Sequence, residues 1–168
     1  MAANKIGILT GGGDVPGLNS VIKSAVYRAS EMGREVIGIR KGWEGLTHMD
    51  PKQKHDPACI RPLNRENTRA IDRTGGTTLH TSRTNPQKLK KSKLPPHLTP
   101  AEIEKFPRTG DVYDLTSVVL RNLERLQIGT LIVIGGDDTL SFAARLQQEG
   151  VPLIGIPKTM DNYVRGTE

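Results

Sequence analysis

The chain has 168 residues, of which 35% are hydrophobic and 25% are charged, and its formal net charge is +6. This length suits one domain around a single core, and nothing in it requires two domains. Cys59 is the single cysteine, which excludes a disulfide framework. The apolar run after Lys5 is too short for a signal peptide or a membrane span, so we expect a cytoplasmic protein with no membrane partner.

The positive charge is concentrated in one segment. Residues 83–108 contain seven Lys or Arg and two Asp or Glu, so this segment carries +5 of the net +6. A basic segment can bind nucleic acid. The same segment contains five prolines, which favour a solvated surface insertion at about residues 86–108 with a short helix near residues 101–105. We therefore expect no nucleic-acid partner.

The first predicted unit is a strand, a glycine-rich loop and a helix. Residues 5–10 (KIGILT) fit a buried parallel strand, and GGGDVPG follows at residues 11–17. Asn19 or Ser20 can cap the helix, which is predicted to end at Gly33 from the apolar spacing of Ile22, Ala25, Val26 and Ala29. Glycines let backbone N–H groups approach an anion, and a helix start adds positive potential, so the unit suits phosphate binding. A turn without a ligand is the alternative.

Two further loops carry single residues that could contact a ligand. A strand is predicted at residues 35–39, and Trp43 lies in the predicted loop after it, at residues 42–46. Its ring could stack on a nucleobase or pack in the core. Residues 73–86 (RTGGTTLHTSRTNP) place Arg83 among hydroxyl groups, which suits a phosphate, and a solvated arginine is the alternative.

Polar residues follow two apolar runs near the end of the chain. GGDDT follows the run at residues 131–134 (LIVI), and PKTMDN follows the run at residues 151–156 (VPLIGI). Parallel strands end at the same edge of a sheet, and ligands of open α/β sheets bind there. We therefore expect Asp137, Lys158 and Asp161 to lie close together.

The order of these elements predicts the fold class. Apolar residues at helical spacing between residues 111 and 126 predict a crossover helix that leads into the strand at 131–134. Short buried strands alternating with amphipathic helices indicate an α/β fold. We expect a Rossmann-like, three-layer structure with helices on both faces of a parallel sheet.

Four motifs together resemble the phosphofructokinase family, in that family's order. They are TGGGDVPGLN (10–19), GGTTLHTSRTNP (75–86), GGDDT (135–139) and PKTMDN (157–162). The likeness runs from Lys5 to Glu168. It implies an enzyme of glycolysis or gluconeogenesis that transfers a phosphoryl group from pyrophosphate or ATP to the 1-hydroxyl of fructose 6-phosphate, with Mg²⁺ as cofactor.

The resemblance also implies roles for individual residues. The residues matching the donor-phosphate site are Gly12, Gly13, Asp138 and Thr139. Those matching the catalytic positions are Arg83, Lys158, Thr159 and Asp161. By this resemblance Asp137 is the magnesium ligand, Arg83 contacts the phosphoryl group in transit, and Asp161 is the base that takes the hydroxyl proton. Thr159 would lie beside the reacting hydroxyl.

Two charged positions favour pyrophosphate over ATP as donor. In ATP-dependent relatives, glycine usually occupies the positions of Asp138 and Lys158. A carboxylate about 4 Å from the α-phosphate of ATP would cost about 1 kcal/mol in water and about 4 kcal/mol at intermediate dielectric. Lys158 supplies a compact positive charge to the smaller anion. Trp43 is the opposing signal, because it aligns with an aromatic residue near the nucleotide in ATP enzymes.

Two departures from the family pattern leave other outcomes open. Tyr163 replaces the second aspartate of the usual T-x-D-N-D motif. Residues 1–168 would form only the N-terminal domain that binds donor phosphate and Mg²⁺, without the second, sugar-phosphate domain. We expect the chain alone to turn over poorly and the full-length protein to be a homo-oligomer. The alternatives are an ATP-dependent enzyme and a non-catalytic, phosphate-binding subunit or fragment.

Overall fold

A computed structural model describes residues 4–53 and 56–159. Its strands are β1 (Lys5–Thr10), β2 (Val36–Ile39), β3 (Ile60–Leu63), β4 (Leu89–Lys90), β5 (Arg108–Thr109), β6 (Val112–Tyr113), β7 (Ile128–Gly135) and β8 (Leu153–Pro157). Its helices are α1 (Leu18–Glu31), α2 (Trp43–His48), α3 (Pro100–Ile103), α4 (Thr116–Arg125) and α5 (Asp137–Gln148). Within the described ranges, no helix is both long and apolar enough to cross a membrane.

The main sheet has the strand order β3-β2-β1-β7-β8, and helices cover both of its faces. Successive residues of β1 point to opposite faces. Ile8 packs in a cluster with Ile22 and Val26 of α1. Leu9 packs on the other face with Leu123 of α4 and Phe142 of α5. The predicted three-layer α/β architecture is therefore confirmed.

One strand of the main sheet runs against the others. The pairs β1 with β2, β1 with β7, and β7 with β8 are parallel, but β3 pairs with β2 in the antiparallel direction. No strand was predicted here, because residues 51–73 show no regular apolar pattern. Pro62 lies within β3, where its missing N–H is tolerated because β3 is at the edge of the sheet.

The predicted start of the first helix was wrong. α1 begins at Leu18, and the residue before it is Gly17, whose φ is +93°. Asn19 does not cap the helix. It is buried, its amide nitrogen donates to the backbone oxygen of Thr74 at 3.1 Å, and its side-chain oxygen accepts from the backbone nitrogen of Thr78 at 2.7 Å. Asn19 thus ties α1 to the loop before Arg83.

Two other boundaries differ from the predictions. Residues 43–48, within and just after the predicted loop at 42–46, form the short helix α2. The crossover helix begins at Thr116 instead of Asp111, since Val112–Tyr113 pair with β4 and β5 as strand β6. Asp114 ends that strand, and its carboxylate accepts a hydrogen bond from the Thr116 backbone nitrogen at 2.8 Å. The sequence predicted one helix across this region because Val112 fits the helical spacing of the apolar residues that follow it.

Residues 86–115, which we call the satellite unit, form a small folded substructure. Its strands make a second sheet in the order β4-β6-β5. Its apolar residues form a separate cluster with the start of α4, whose buried members are Leu89, Leu98, Tyr113, Leu115 and Val118. At the start of α3, Thr99 and Glu102 form a reciprocal capping box. The prediction of a solvated loop was therefore wrong, although the predicted short helix exists as α3.

Candidate active site

A cavity of about 450 Å³ lies where β1, β7 and β8 end. Its lining includes Gly12 and Gly13 after β1, residues 136–139 after β7, and Lys158 after β8. Arg83 and Thr84 complete the described lining. Of the three residues expected to meet at this edge of the sheet, Asp137 and Lys158 both line the cavity, and Asp161 lies outside the described residues. Thr84 is a further hydroxyl-bearing residue of the lining, and its place next to Arg83 in the TSRTNP motif is the signal that could have identified it.

The glycine loop after β1 is held on both sides by backbone hydrogen bonds. Gly11 donates to the oxygen of Ile134 in β7 at 2.9 Å, and Gly12 donates to the oxygen of Ser82 at 3.2 Å. Gly12 has a φ of +81°, and a Cβ there would lie 3.3 Å from the Lys158 Nζ. Glycine therefore meets a backbone requirement and also leaves room for the lysine.

Lys158 bridges the ends of three strands. Its backbone nitrogen donates to the oxygen of Gly135 at 3.1 Å, and its Nζ donates to the oxygen of Gly13. Burial lowers the pKa of the amino group from its ordinary value. Arg83 lowers that pKa further, and Asp14 opposes both effects. The ammonium is thus positioned at the glycine loop, where an anion would stabilise its charged form.

The helix start that lines the cavity belongs to α5. Gly136 precedes it without a side-chain cap, and the first backbone bond runs from Leu140 N to Gly136 O at 2.9 Å. The preceding N–H groups of a first turn lack acceptors within the helix and favour anions. We expected α1 to supply this feature. Instead, Asn19 in the first turn of α1 donates its backbone N–H to Gly76 O at 3.2 Å, and α1 contributes no residue to the described lining.

Asp137 and Asp138 occupy the first turn of α5, and both side chains are exposed. Neither forms an ion pair with another residue in 4–53 or 56–159. No group of three His, Cys, Asp or Glu that could hold a metal occurs among these described residues. Mg²⁺, however, commonly uses one or two carboxylates together with substrate phosphates and water. Asp137 and Asp138 fit that mode of binding.

A family model described as phosphofructokinase matches residues 5–168. The chain belongs to the phosphofructokinase family. A pyrophosphate–fructose 6-phosphate 1-phosphotransferase of Dictyoglomus thermophilum is 38% identical over 168 residues, covering 100% of this chain and 39% of that protein. An ATP-dependent 6-phosphofructokinase of Corynebacterium efficiens is 39% identical over 170 residues, covering 100% of this chain and 40% of that protein. The chain thus spans about two fifths of the length of these relatives.

Solved structures agree with the family at the level of the fold. The phosphofructokinase of Saccharomyces cerevisiae superimposes with a TM-score of 0.69 at 22% identity, over 98% of this chain and 18% of that chain. The Pichia pastoris phosphofructokinase in the T-state gives a TM-score of 0.66 at 26% identity, over 95% of this chain and 16% of that chain. The first of these likenesses shows the fold alone.

Thr139 has a packing role that the sequence did not indicate. It is 6% exposed, and a Cβ added at Gly11 or at Gly135 would lie 2.5 Å from an atom of its side chain. The close approach of these segments thus leaves no room for a side chain at Gly11 or Gly135 while Thr139 is present. This role became visible only in the folded chain, because it joins positions more than 120 residues apart.

Trp43 is a packing residue. It is 2% exposed, so its ring cannot stack on a nucleotide in the cavity. Its Nε1 donates to the backbone oxygen of Thr139 at 3.2 Å. Of the two interpretations of this tryptophan, packing is confirmed.

The other positions that were predicted to be catalytic divide into two groups. Arg83 is exposed and lines the cavity between two anchored residues: the Ser82 hydroxyl donates to the Lys41 backbone oxygen at 2.7 Å, and the Thr84 hydroxyl donates to Glu44 at 3.4 Å. Thr159 is partly buried next to Lys158 and is not among the lining residues. The predicted base Asp161 and the unusual Tyr163 lie outside the described residues.

Proposed function

We propose that this chain binds the donor in a phosphotransferase that moves a phosphoryl group from pyrophosphate to the 1-hydroxyl of fructose 6-phosphate. One observation carries the choice of donor. The amino group of Lys158 lies at the Gly12–Gly13 loop. Asp138, in the first turn of α5, also lines the cavity. Both residues line the cavity, so a compact anion would gain from the Lys158 ammonium, and a longer, more highly charged polyphosphate would also meet the negative charge of Asp138.

The described residues suit the charge balance of phosphoryl transfer. The hydroxyl oxygen attacks the terminal phosphorus, the bridging P–O bond breaks, and phosphate leaves as the hydroxyl proton passes to a base, for which we propose Asp161. Arg83, Lys158 and the N–H groups at the start of α5 would hold the donor oxygens. Asp137 would hold Mg²⁺, which when bound neutralises charge on the donor phosphates.

The described part of the cavity wall has no aromatic side chain on which an adenine ring could stack. The indole of Trp43 is buried beneath the start of α5. The triphosphate of ATP would also bring its α-phosphate towards the side where Asp138 adds negative charge. Both features support pyrophosphate.

An ATP-dependent enzyme is the second candidate. It is supported by the relative from Corynebacterium efficiens, whose 39% identity is as high as that of the pyrophosphate-dependent relatives. Overall similarity therefore does not distinguish the donors, and the local charges at positions 138 and 158 carry the preference for pyrophosphate.

The test is an assay of fructose 1,6-bisphosphate formation by the complete natural polypeptide that contains these residues. With Mg²⁺ and fructose 6-phosphate present, we expect turnover with pyrophosphate and at least about tenfold less with ATP, the equivalent of about 1.4 kcal/mol. The double variant Asp138→Gly/Lys158→Gly should lose pyrophosphate use and gain ATP use. The matched control is the double variant Asp111→Gly/Lys105→Gly, which replaces one acidic and one basic residue that are exposed on the satellite unit. Turnover with ATP alone would refute the proposal, and turnover with neither donor would favour a non-catalytic phosphate-binding role.

A further inference from the structure

The buried indole of Trp43 makes a polar contact that the proposed reaction leaves unexplained. The side chain is 2% exposed and has no access to a ligand in the cavity. Its Nε1 donates to the backbone oxygen of Thr139, which belongs to the first turn of α5. The indole therefore contacts, from the core side, the helix turn that lines the cavity.

A second contact places the same indole against the next turn of α5. The rings of Trp43 and Phe142 are 4.8 Å apart at an interplanar angle of 89°. Such an edge-to-face pair has a preferred geometry. Thr139 and Phe142 are three residues apart and lie on the same side of the helix. Two contacts on successive turns restrict both the position of α5 and its rotation about the helix axis.

The side chain of Thr139 transmits this restriction to the glycine loop. A Cβ at Gly11 would lie 2.5 Å from the Thr139 Oγ1, so backbone and side chain are in close contact. Gly11 leads directly into the loop whose Gly12 and Gly13 line the cavity. A shift of the first turn of α5 would therefore also change the position of the loop opposite.

We propose that Trp43 is a positioning residue of the donor site. Its N–H fixes the first turn of α5 relative to the glycine loop, so that residues 136–139 present N–H groups and carboxylates to the donor phosphates and their metal ion. The proposal rests on the proposed function for the identity of the ligand. It applies to pyrophosphate and to ATP, because either donor would bring phosphates to this turn.

The test uses Trp43→Phe, which keeps an aromatic ring and removes the N–H donor. The matched control is Leu123→Val, on α4 in the same hydrophobic cluster but not in the described cavity lining. Two quantities are measured under conditions where circular dichroism shows each variant to be folded. The first is the hydrogen-exchange rate of the Leu140 amide, followed by NMR, because this amide makes the first backbone bond of α5. The second is the dissociation constant of pyrophosphate in Mg²⁺ buffer, followed by calorimetry.

We expect Trp43→Phe to raise both the exchange rate and the dissociation constant about three- to tenfold, as the loss of one hydrogen bond implies. Leu123→Val should change neither by more than about twofold, because Leu123 lies on α4 and is not among the described residues that line the cavity. An unchanged Leu140 exchange rate in folded Trp43→Phe overturns the inference for any donor. If the wild type binds neither pyrophosphate nor ATP, the proposed function fails, and the exchange rate still decides the role of Trp43.

If Trp43→Phe does not fold, a fluorescence measurement on the wild-type protein tests the proposal instead. Trp43 is the only tryptophan of the chain, so its fluorescence reports on this one site. When pyrophosphate is titrated into the protein, the emission should change with the same midpoint as the calorimetric signal. Addition of fructose 6-phosphate alone should leave the emission unchanged. Emission that stays constant while calorimetry detects binding overturns the inference.

Discussion

Gly12 combines two constraints that a comparison with Gly17 can separate. Both glycines have positive φ angles, +81° and +93°. A Cβ at Gly12 would lie 3.3 Å from the Lys158 Nζ, whereas a Cβ at Gly17 would meet no atom within 4 Å. Backbone strain is therefore common to both positions, and crowding of the lysine is specific to Gly12.

Changing each glycine to alanine tests this separation. Gly12→Ala and Gly17→Ala should each lower the free energy of unfolding by about 1–2 kcal/mol, the cost of a left-handed backbone for an L-residue. Only Gly12→Ala should also weaken pyrophosphate binding, by about tenfold, because it displaces the amino group of Lys158. Urea unfolding and calorimetry measure the two effects. Equal loss of affinity in both variants would show that loop strain, and not the lysine, controls binding.

At the scale of single residues, the sequence predicted which charged residues meet at the sheet edge better than it predicted the packing. Asp137 and Lys158 could be placed because strand ends in a parallel sheet meet at one edge. The packing of Thr139 and the tertiary hydrogen bonds of Asn19 could not be predicted, because they depend on close approaches between distant segments. No periodic pattern in the sequence encodes such contacts.

At the scale of elements, the longer segments were predictable and the short ones were not. β1 and β2 follow apolar runs and α1 follows apolar residues at helical spacing, so the existence of all three was confirmed with small shifts in their ends. β4, β5 and β6 have two residues each, which is too short to show any period. The satellite unit was therefore misread from its charges and prolines, although its apolar residues form a core.

The two residues of β4 offer a direct test of whether the satellite unit is folded. Leu89 is 3% exposed in the satellite core, and its neighbour Lys90 is exposed. Leu89→Ala should lower the free energy of unfolding by about 2–4 kcal/mol, as expected for a buried leucine. Lys90→Ala should change it by less than about 0.5 kcal/mol. If both variants unfold at the wild-type urea concentration, the segment behaves as a solvated loop.

For the molecule as a whole, Cys59 is a probe of global unfolding. It is 8% exposed, and burial, reinforced by Asp56, raises the pKa of its thiol to about 12. The thiolate is the reactive form, so the native protein should resist alkylation at about pH 8. Iodoacetamide labelling, followed by mass spectrometry across a urea series, should rise with the same midpoint as the circular dichroism signal.

The control for this labelling is the fully denatured chain, where Cys59 is exposed and the thiol returns to its ordinary reactivity. Rapid labelling in the absence of urea would contradict the prediction, since it would require an opening of the core near β3 without global unfolding.

The contacts of Thr139 with Gly11 and Gly135 limit the routes by which this site can evolve. At position 11, a new methyl would meet Oγ1 and Cγ2 of Thr139 at 2.5 and 2.7 Å but its Cβ at 3.2 Å, so a prior change of Thr139 to alanine would leave one tight contact that a shift of a few tenths of an ångström relieves. At position 135 the Thr139 Cβ itself lies at 2.5 Å, and truncation to alanine would not help. Gly11 can thus be replaced only after Thr139 has changed. Gly135 cannot be replaced for as long as residue 139 carries a side chain.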